Sequence, residues 1–486
     1  MQPHDMFRNL SPLDHRYWQA NEALFEGLAD ILSEEASVGQ CVRVEATLLI
    51  HLIRHLLPES PEREKWIAAA RTLPEAVTAA AVYEEEETTR HNIRAIVNVI
   101  QRKLPPEVRH LVHLGATSVD ILDTASALRY RAAVREVVLP LLAQVQELLI
   151  ALAEANAERV SIGRTHGQHA VPITMGFAFA EYVSRLGGCI AEIELRSNGL
   201  RGKLAGAVGA YNATSVLHPD PEALEREVLA DLGLEPGEHA TQIVSPEPLL
   251  RLLLELNTAF GVLANLADDL RHLQRSEIGE LAEYFAAGQV GSSTMPHKRN
   301  PWNAEHVKSL WKAFAPRSMT WFMDQISEHQ RDLSNSASSR FVVEFVAGLV
   351  AAAERTRSIL DRLHVDETGI ERNLREGVRR VLAEPLYILL AAGGVADAHE
   401  QLRRLTLAAD EAGEDILSVA RKDAALWATI SETYRNLTGA DPDLFFADPA
   451  NYIGRAAERT RAICSRHREA LTDLQARLGD TKVGTA

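Results

Sequence analysis

Long apolar series at helical spacing leave this chain few folds to adopt. Leu252, Leu256, Ala259, Leu263, Leu266, Leu270 and Leu273 recur every third or fourth residue, and no proline interrupts the interval between Pro248 and Pro296. From Val138 onward, Leu141, Leu142, Val145, Leu148, Leu149 and Leu152 repeat the pattern. On a helix such positions form one stripe, which must be buried against another apolar stripe. Sustained strand alternation is absent over most of the chain. The expected fold is therefore mainly α, with a central bundle of long helices over residues 115–365 and smaller helical domains at 1–114 and 366–486. HLG near 113 and HVDETG near 365 supply the expected turns, and AAGQVGSS should break the long helical pattern that opens after Pro248.

A chain of 486 residues, 46% hydrophobic and 24% charged, can bury a substantial core. Its net charge of -16 disfavours non-specific nucleic-acid binding while leaving local anion pockets open. Cys41, Cys189 and Cys464 are far apart and form neither a metal spacing nor a disulfide framework, which fits a reducing compartment. The amino terminus lacks a basic segment followed by an apolar core, and no later stretch has the length and uniformity expected of a membrane span. The expectation is a cytoplasmic protein without a membrane or nucleic-acid partner. EEEE at 84–87 reads as a solvated helical surface.

Four polar, glycine-containing segments interrupt the helical pattern: HLGATSVDILDTA at 113–125, GRTHGQHAVPITMG at 163–176, GKLAGAVGAYN at 202–212 and GSSTMPHKRNP at 291–301. The last concentrates hydroxyls, positive charge and rigid proline, so it cannot be the buried face of a regular element. Each segment alone fits a cap, a core hydrogen bond or a turn. Brought together at helix ends, their amides and side-chain donors could converge on an anion.

This ordered set resembles the fumarase/aspartase superfamily, with GSSTMPHKRNP matching its most specific signature, and within it the adenylosuccinate lyase family. The similarity extends from SPLDHRYW at 11–18 through QRDLSNSASSR at 330–340 to NYIGRA at 451–456. The resemblance implies a helical homotetramer with active sites shared among three chains. It also implies reversible elimination of fumarate from a carbon-nitrogen or carbon-oxygen bond, with no metal or organic cofactor.

Such an elimination needs a base for the proton beside a carboxylate, donors for the enediolate-like charge, and an acid for the leaving nitrogen. By resemblance Ser293 is the base, His166 the acid, and Lys298 and Asn300 hold the fumaryl carboxylates. Glu305 fits the acidic residue that orients the histidine. Arg16, Tyr17, Arg331, Ser336 and Arg340 resemble a phosphate-binding group, in which arginines supply forked, charge-assisted donors. Ser336 and Arg340 could share a helical face. His91, Thr117, Ser118 and Gln242 resemble further substrate contacts. The implied substrate is a succinyl nucleotide: adenylosuccinate, cleaved to AMP and fumarate, and also the succinyl-carboxamide intermediate of purine synthesis. The chain departs from the family pattern at Asn92, His169, Ala205 and Asn335. Those changes spare the expected acid, base and phosphate arginines and bear on substrate choice, which keeps open a specialised lyase acting on another succinyl amine or a nitrosuccinate-like compound. A structural or interaction protein that retains the bundle without catalysis is the non-enzyme alternative.

Overall fold

The computed structural model describes residues 8–285, 294–295 and 297–480. The fold is mainly α, as the apolar periodicity requires, and the strands form three two-stranded sheets among the described residues. The elements that matter for the site are α1 (Glu34–Leu56), α2 (Asn92–Lys103), α3 (Ser118–Ala133), α4 (Leu139–Ala155), β1 (Val160–Thr165), β2 (Gln168–Thr174), α5 (Met175–Asn198), α6 (Pro221–Asp231), α7 (Glu247–Leu273), α8 (Trp302–Phe314), α9 (Val342–Asp361), α10 (Glu367–Val381) and α11 (Ala456–Asp480). The stripes named from sequence are buried: Leu142, Val145 and Leu149 on α4 and Ala259 and Leu263 on α7 are at most marginally exposed. A π-helical turn at Val134–Val138 joins α3 to α4 just before Pro140. A proline removes one backbone donor, and a widened turn is a common way for a helix to pass such a site. α7 ends at Leu273, before AAGQVGSS is reached, because the chain turns through Gly279 (φ 58°) into a short strand at Leu281–Ala282.

Contacts divide the chain into two compact units. The first comprises residues 1–143, 188–263 and 309–354. Here α1 packs on α3, and Phe260, Phe345 and Trp321 cluster their rings, with Trp321 edge-on to Phe345 at 4.8 Å. The second comprises residues 144–187, 264–308 and 355–486. In it the β1–β2 hairpin packs on α10, and a cluster around Leu386, Leu390, Ile416 and Ile430 forms a separate carboxy-terminal core. α11 lies along the end of α4, where Arg468 Nη1 donates to Glu154 Oε1 at 2.7 Å.

Three stretches, Glu22–Leu56, Ser118–Ala155 and Glu247–Leu273, are long and apolar enough to cross a membrane by length and composition. This corrects the sequence expectation that no stretch reaches that length. Their few charges are spread so that no single segment looks uniformly apolar, and 61%, 61% and 56% of the respective apolar windows are buried within the protein. None of the three cysteines forms a disulfide, and all are buried.

Candidate active site

The GRTHGQH segment folds as the β1–β2 hairpin, with His166 (φ 53°) and Gly167 (φ 73°) at its two-residue turn between the paired Thr165 and Gln168. Positive φ at both central residues is what a type I′ turn requires, and its twist suits the flanking strands. Glycine adopts this conformation freely, whereas a histidine there carries strain of roughly 1–2 kcal/mol. Strain of this kind persists only where the surroundings over-determine it. Next to the turn, Arg164 makes a forked pair with buried Glu280, at 3.0 and 2.6 Å. Asn373 of α10 donates to the same carboxylate and to Ile278 O, both at 2.8 Å. α10 approaches so closely that a Cβ at Gly377 would lie 2.8 Å from Ile162 Cδ1. The His166 side chain is exposed at the tip, and nothing among the described residues hydrogen-bonds its ring.

In the same unit, Lys298 N donates to Met295 O at 3.0 Å in a turn, with the Lys298 side chain exposed and Asn300 half-buried. Ser293 lies outside the described residues. The segment leads through Pro301 into α8, whose first-turn amides are capped by Glu283: Ala304 N donates to Oε1 at 2.8 Å, and Asn303 Nδ2 to Oε2 at 2.8 Å. Burial raises the Glu283 pKa above the usual carboxylate range even though these donors oppose the shift. Glu305 is exposed on that first turn and makes no hydrogen bond to His166 within the chain.

The remaining candidates fall in the first unit. Arg16 is exposed at the start of the short helix Arg16–Ala20, and Tyr17 is half-buried beside it. His91 caps α2, its Nδ1 accepting from Arg94 N at 3.3 Å, so the proton of the neutral ring sits on Nε2 as an outward donor. Asn92 accepts from the neighbouring Ile93 N at 2.8 Å. Thr117 caps α3 and Ser118 opens it; Thr117 N donates to Asp120 at 2.8 Å. Asp120 is fully buried, paired with the equally buried Lys203, and accepts from Gly206 N, which ties the glycine-rich GKLAGAVG segment to the α3 amino terminus. Ala205 is buried.

Gln242 N donates to Gln330 O at 3.4 Å, placing the Gln242 and Arg331 strands of chain side by side. Arg331, Asn335 and Asp123 line one cavity of about 170 Å³. The buried Arg331 Nε has no hydrogen-bond partner. Asp123 accepts from Val244 N at 2.9 Å, and burial raises its pKa to about 6, with Arg331 acting in the opposite direction. The turn after Arg331 is organised by Asp332, held down at about 2 by donors from Ser334 and Glu328. Ser336 sits in this turn and Arg340 in the 3-10 helix Ser338–Phe341, both exposed, so the two do not share an α-helical face. Sequence reading did not single out Asp120, Asp123, Lys203, Glu280 or Glu283. Asp120 and Asp123 stand inside the quoted HLGATSVDILDTA and Lys203 inside GKLAGAVGAYN, but their partners are distant in the chain.

A family profile described as lyase matches residues 58–312, and one described as adenylosuccinate lyase C-terminal matches residues 327–441. The adenylosuccinate lyase of Pyrococcus abyssi is 34% identical over 92% of this chain and 95% of its own length. The chain belongs to the adenylosuccinate lyase family. The adenylosuccinate lyase of Archaeoglobus fulgidus is 32% identical over 93% of this chain and 97% of its own. The crystal structure of 3-carboxy-cis,cis-muconate lactonizing enzyme from Pseudomonas putida superposes with a TM-score of 0.77 at 24% identity, covering 93% of this chain and 99% of that one. That likeness shows a shared fold. Within the adenylosuccinate lyase family match, the first profile spans His91, Thr117, His166, Gln242 and Lys298, and the second spans Arg331, Ser336 and Arg340.

Proposed function

We propose that the protein is a carbon-nitrogen lyase that cleaves adenylosuccinate to AMP and fumarate. The match over nearly its whole length to adenylosuccinate lyases carries this reading. Ser293 takes the proton from the carbon beside a succinyl carboxylate. The released electron pair forms the fumarate double bond as the carbon-nitrogen bond breaks, and His166 gives its proton to the departing nitrogen. Lys298 and Asn300 hold the carboxylates, and Thr117 and Ser118 offer hydroxyls at the positive amino-terminal end of α3. His91 presents Nε2–H to the substrate, and Gln242 adds an amide. Arg331, whose buried Nε is unpaired, receives the phosphate together with Arg16, Tyr17, Ser336 and Arg340.

The working form is a cytoplasmic homotetramer of three-domain chains, divided near 114 and 365, with sites built from three of them. Two observations support the assembly. Glu305 makes no bond to His166 in its own chain, and the apolar windows of the long helices are only 56–61% buried by one chain. Neighbouring copies cover the remaining apolar surface in this reading, with no membrane or nucleic acid involved. Incubation with adenylosuccinate should release AMP and fumarate in equal amounts, with parallel cleavage of the succinyl-carboxamide nucleotide. Failure on both substrates, alongside fumarate release from a non-nucleotide succinyl amine, would replace this assignment with a specialised lyase. Assembly with neither binding nor turnover would make the chain a non-catalytic bundle.

A further inference from the structure

Away from every residue assigned above, α1 and α6 bring together a compact nitrogen and oxygen donor set. His51 and His55 are one turn apart on α1, and Glu227 and Asp231 one turn apart on α6. His55 Nε2 lies 2.9 Å from Glu227 Oε2, and His51 Nδ1 lies 3.5 Å from the same oxygen. The other nitrogen of His51 is 2.8 Å from Asp231 Oδ2. A carboxylate only accepts, so Nε2 carries the proton of the neutral ring and Nδ1 is left with a lone pair. That lone pair faces another acceptor, the Glu227 carboxylate. The His51 side chain is only 7% exposed, and its Nδ1 has no hydrogen bond. Two acceptors aimed at each other in a protected position are unfavourable unless something positive stands between them.

We propose that His51 Nδ1, His55 Nε2 and Glu227 bind one divalent transition-metal ion of the zinc class. The three ligand atoms lie within 4.8 Å of one another. A tetrahedral ion with bonds of 2.0–2.1 Å sets its ligand atoms about 3.3 Å apart, so small side-chain movements suffice to close the site. Two imidazoles and one carboxylate are a donor set suited to zinc and its first-row neighbours rather than to magnesium or calcium. Binding moves the His55 proton from Nε2 to Nδ1, and Glu227 exchanges a hydrogen bond for a metal bond. Asp231 is the positioning residue: it fixes the His51 tautomer, as carboxylates behind metal-bound histidines do, while Arg54 stands 3.9 Å from the same Asp231 oxygen. His218 lies edge-on to His55, with ring centroids 4.6 Å apart, and borders the site on one side. Glu227 is about half exposed and His55 over a quarter, which gives an ion a path from solvent. The bound ion would clip α1 to α6.

Calorimetric titration of the full-length protein with Zn²⁺ should show one saturable site per chain that is lost in His55→Asn and in Glu227→Gln. Both altered side chains are partly exposed, and neither serves the proposed lyase chemistry, so both variants should fold and keep wild-type turnover. Co²⁺ in place of Zn²⁺ should give the visible absorption of a four-coordinate site in the wild type only. Asp231→Asn should retain the site with affinity reduced about 10- to 100-fold. Zn²⁺ should also raise the thermal midpoint of the wild type and of neither ligand variant. No saturable Zn²⁺ site, or the same site in wild type, His55→Asn and Glu227→Gln, would overturn the assignment.

Discussion

Arg331 has a buried nitrogen without a partner and a carboxylate neighbour across a small cavity. A guanidinium held this way should gain most from a ligand that brings its own negative charge. Arg331→Ala is expected to lower kcat/KM for adenylosuccinate more than for a succinyl substrate lacking phosphate, because one charge-assisted contact is worth about 1.5–3 kcal/mol. Equal losses on both substrates would take Arg331 out of the phosphate site. Asp123, opposite it, titrates near 6 because burial disfavours its charge. For an acid whose folded pKa is raised, the folded state binds the proton more tightly than the unfolded state. Stability from this group is therefore gained as pH falls from about 6 towards 4 and is lost as pH rises through about 6. Asp123→Asn should be more stable than wild type at pH 7.5, with the gap closing towards pH 4. Urea midpoints across that range check it, and a gap independent of pH would refute the burial argument.

The helices were legible because burial writes a period into sequence, and most residues of the α4 and α7 stripes are interior, with Leu148, Leu152 and Leu273 half-buried. The hairpin was not. Its turn is His-Gly rather than an asparagine-glycine pair, and its strands are too short to show sustained alternation. What holds it is long-range: Arg164 to Glu280, and α10 at Glu367–Val381, far downstream in the chain. The two histidines one turn apart on α1 could be read from sequence, but Glu227 could not be assigned to them without the packing of α6. The hairpin's dependence on α10 is testable at Gly377, where a side chain would press on Ile162 and on His169 Nδ1, 3.2 Å from the would-be Cβ. Gly377→Val should cost about 1–3 kcal/mol of stability through overpacking. It should also lower kcat by displacing His166, while KM changes little, and Gly377→Ala should do less of both. Lower stability with unchanged kcat would uncouple α10 from the acid.

For the whole molecule, the distribution of groups decides the experiment. The chain carries His166, Lys298 and Glu305 in one compact unit and the proposed phosphate ligands in the other, and Glu305 makes no bond to His166 within the chain. If a working site takes Ser293 from one copy and His166 from another, two differently disabled chains can complement each other. Ser293→Ala and His166→Ala proteins should each lose about a hundred- to ten-thousandfold in rate, the usual worth of a positioned base or acid, while still binding substrate. After unfolding and refolding together in equal amounts, random assembly places an intact Ser293 opposite an intact His166 in about a quarter of sites. Activity should therefore return to about a quarter of the wild-type value per site, and light scattering should report tetramers throughout. A site built from one chain gives no such recovery, because every copy of it lacks either the base or the acid. Mixed tetramers verified by differential tagging yet still inactive would show that acid and base come from the same chain.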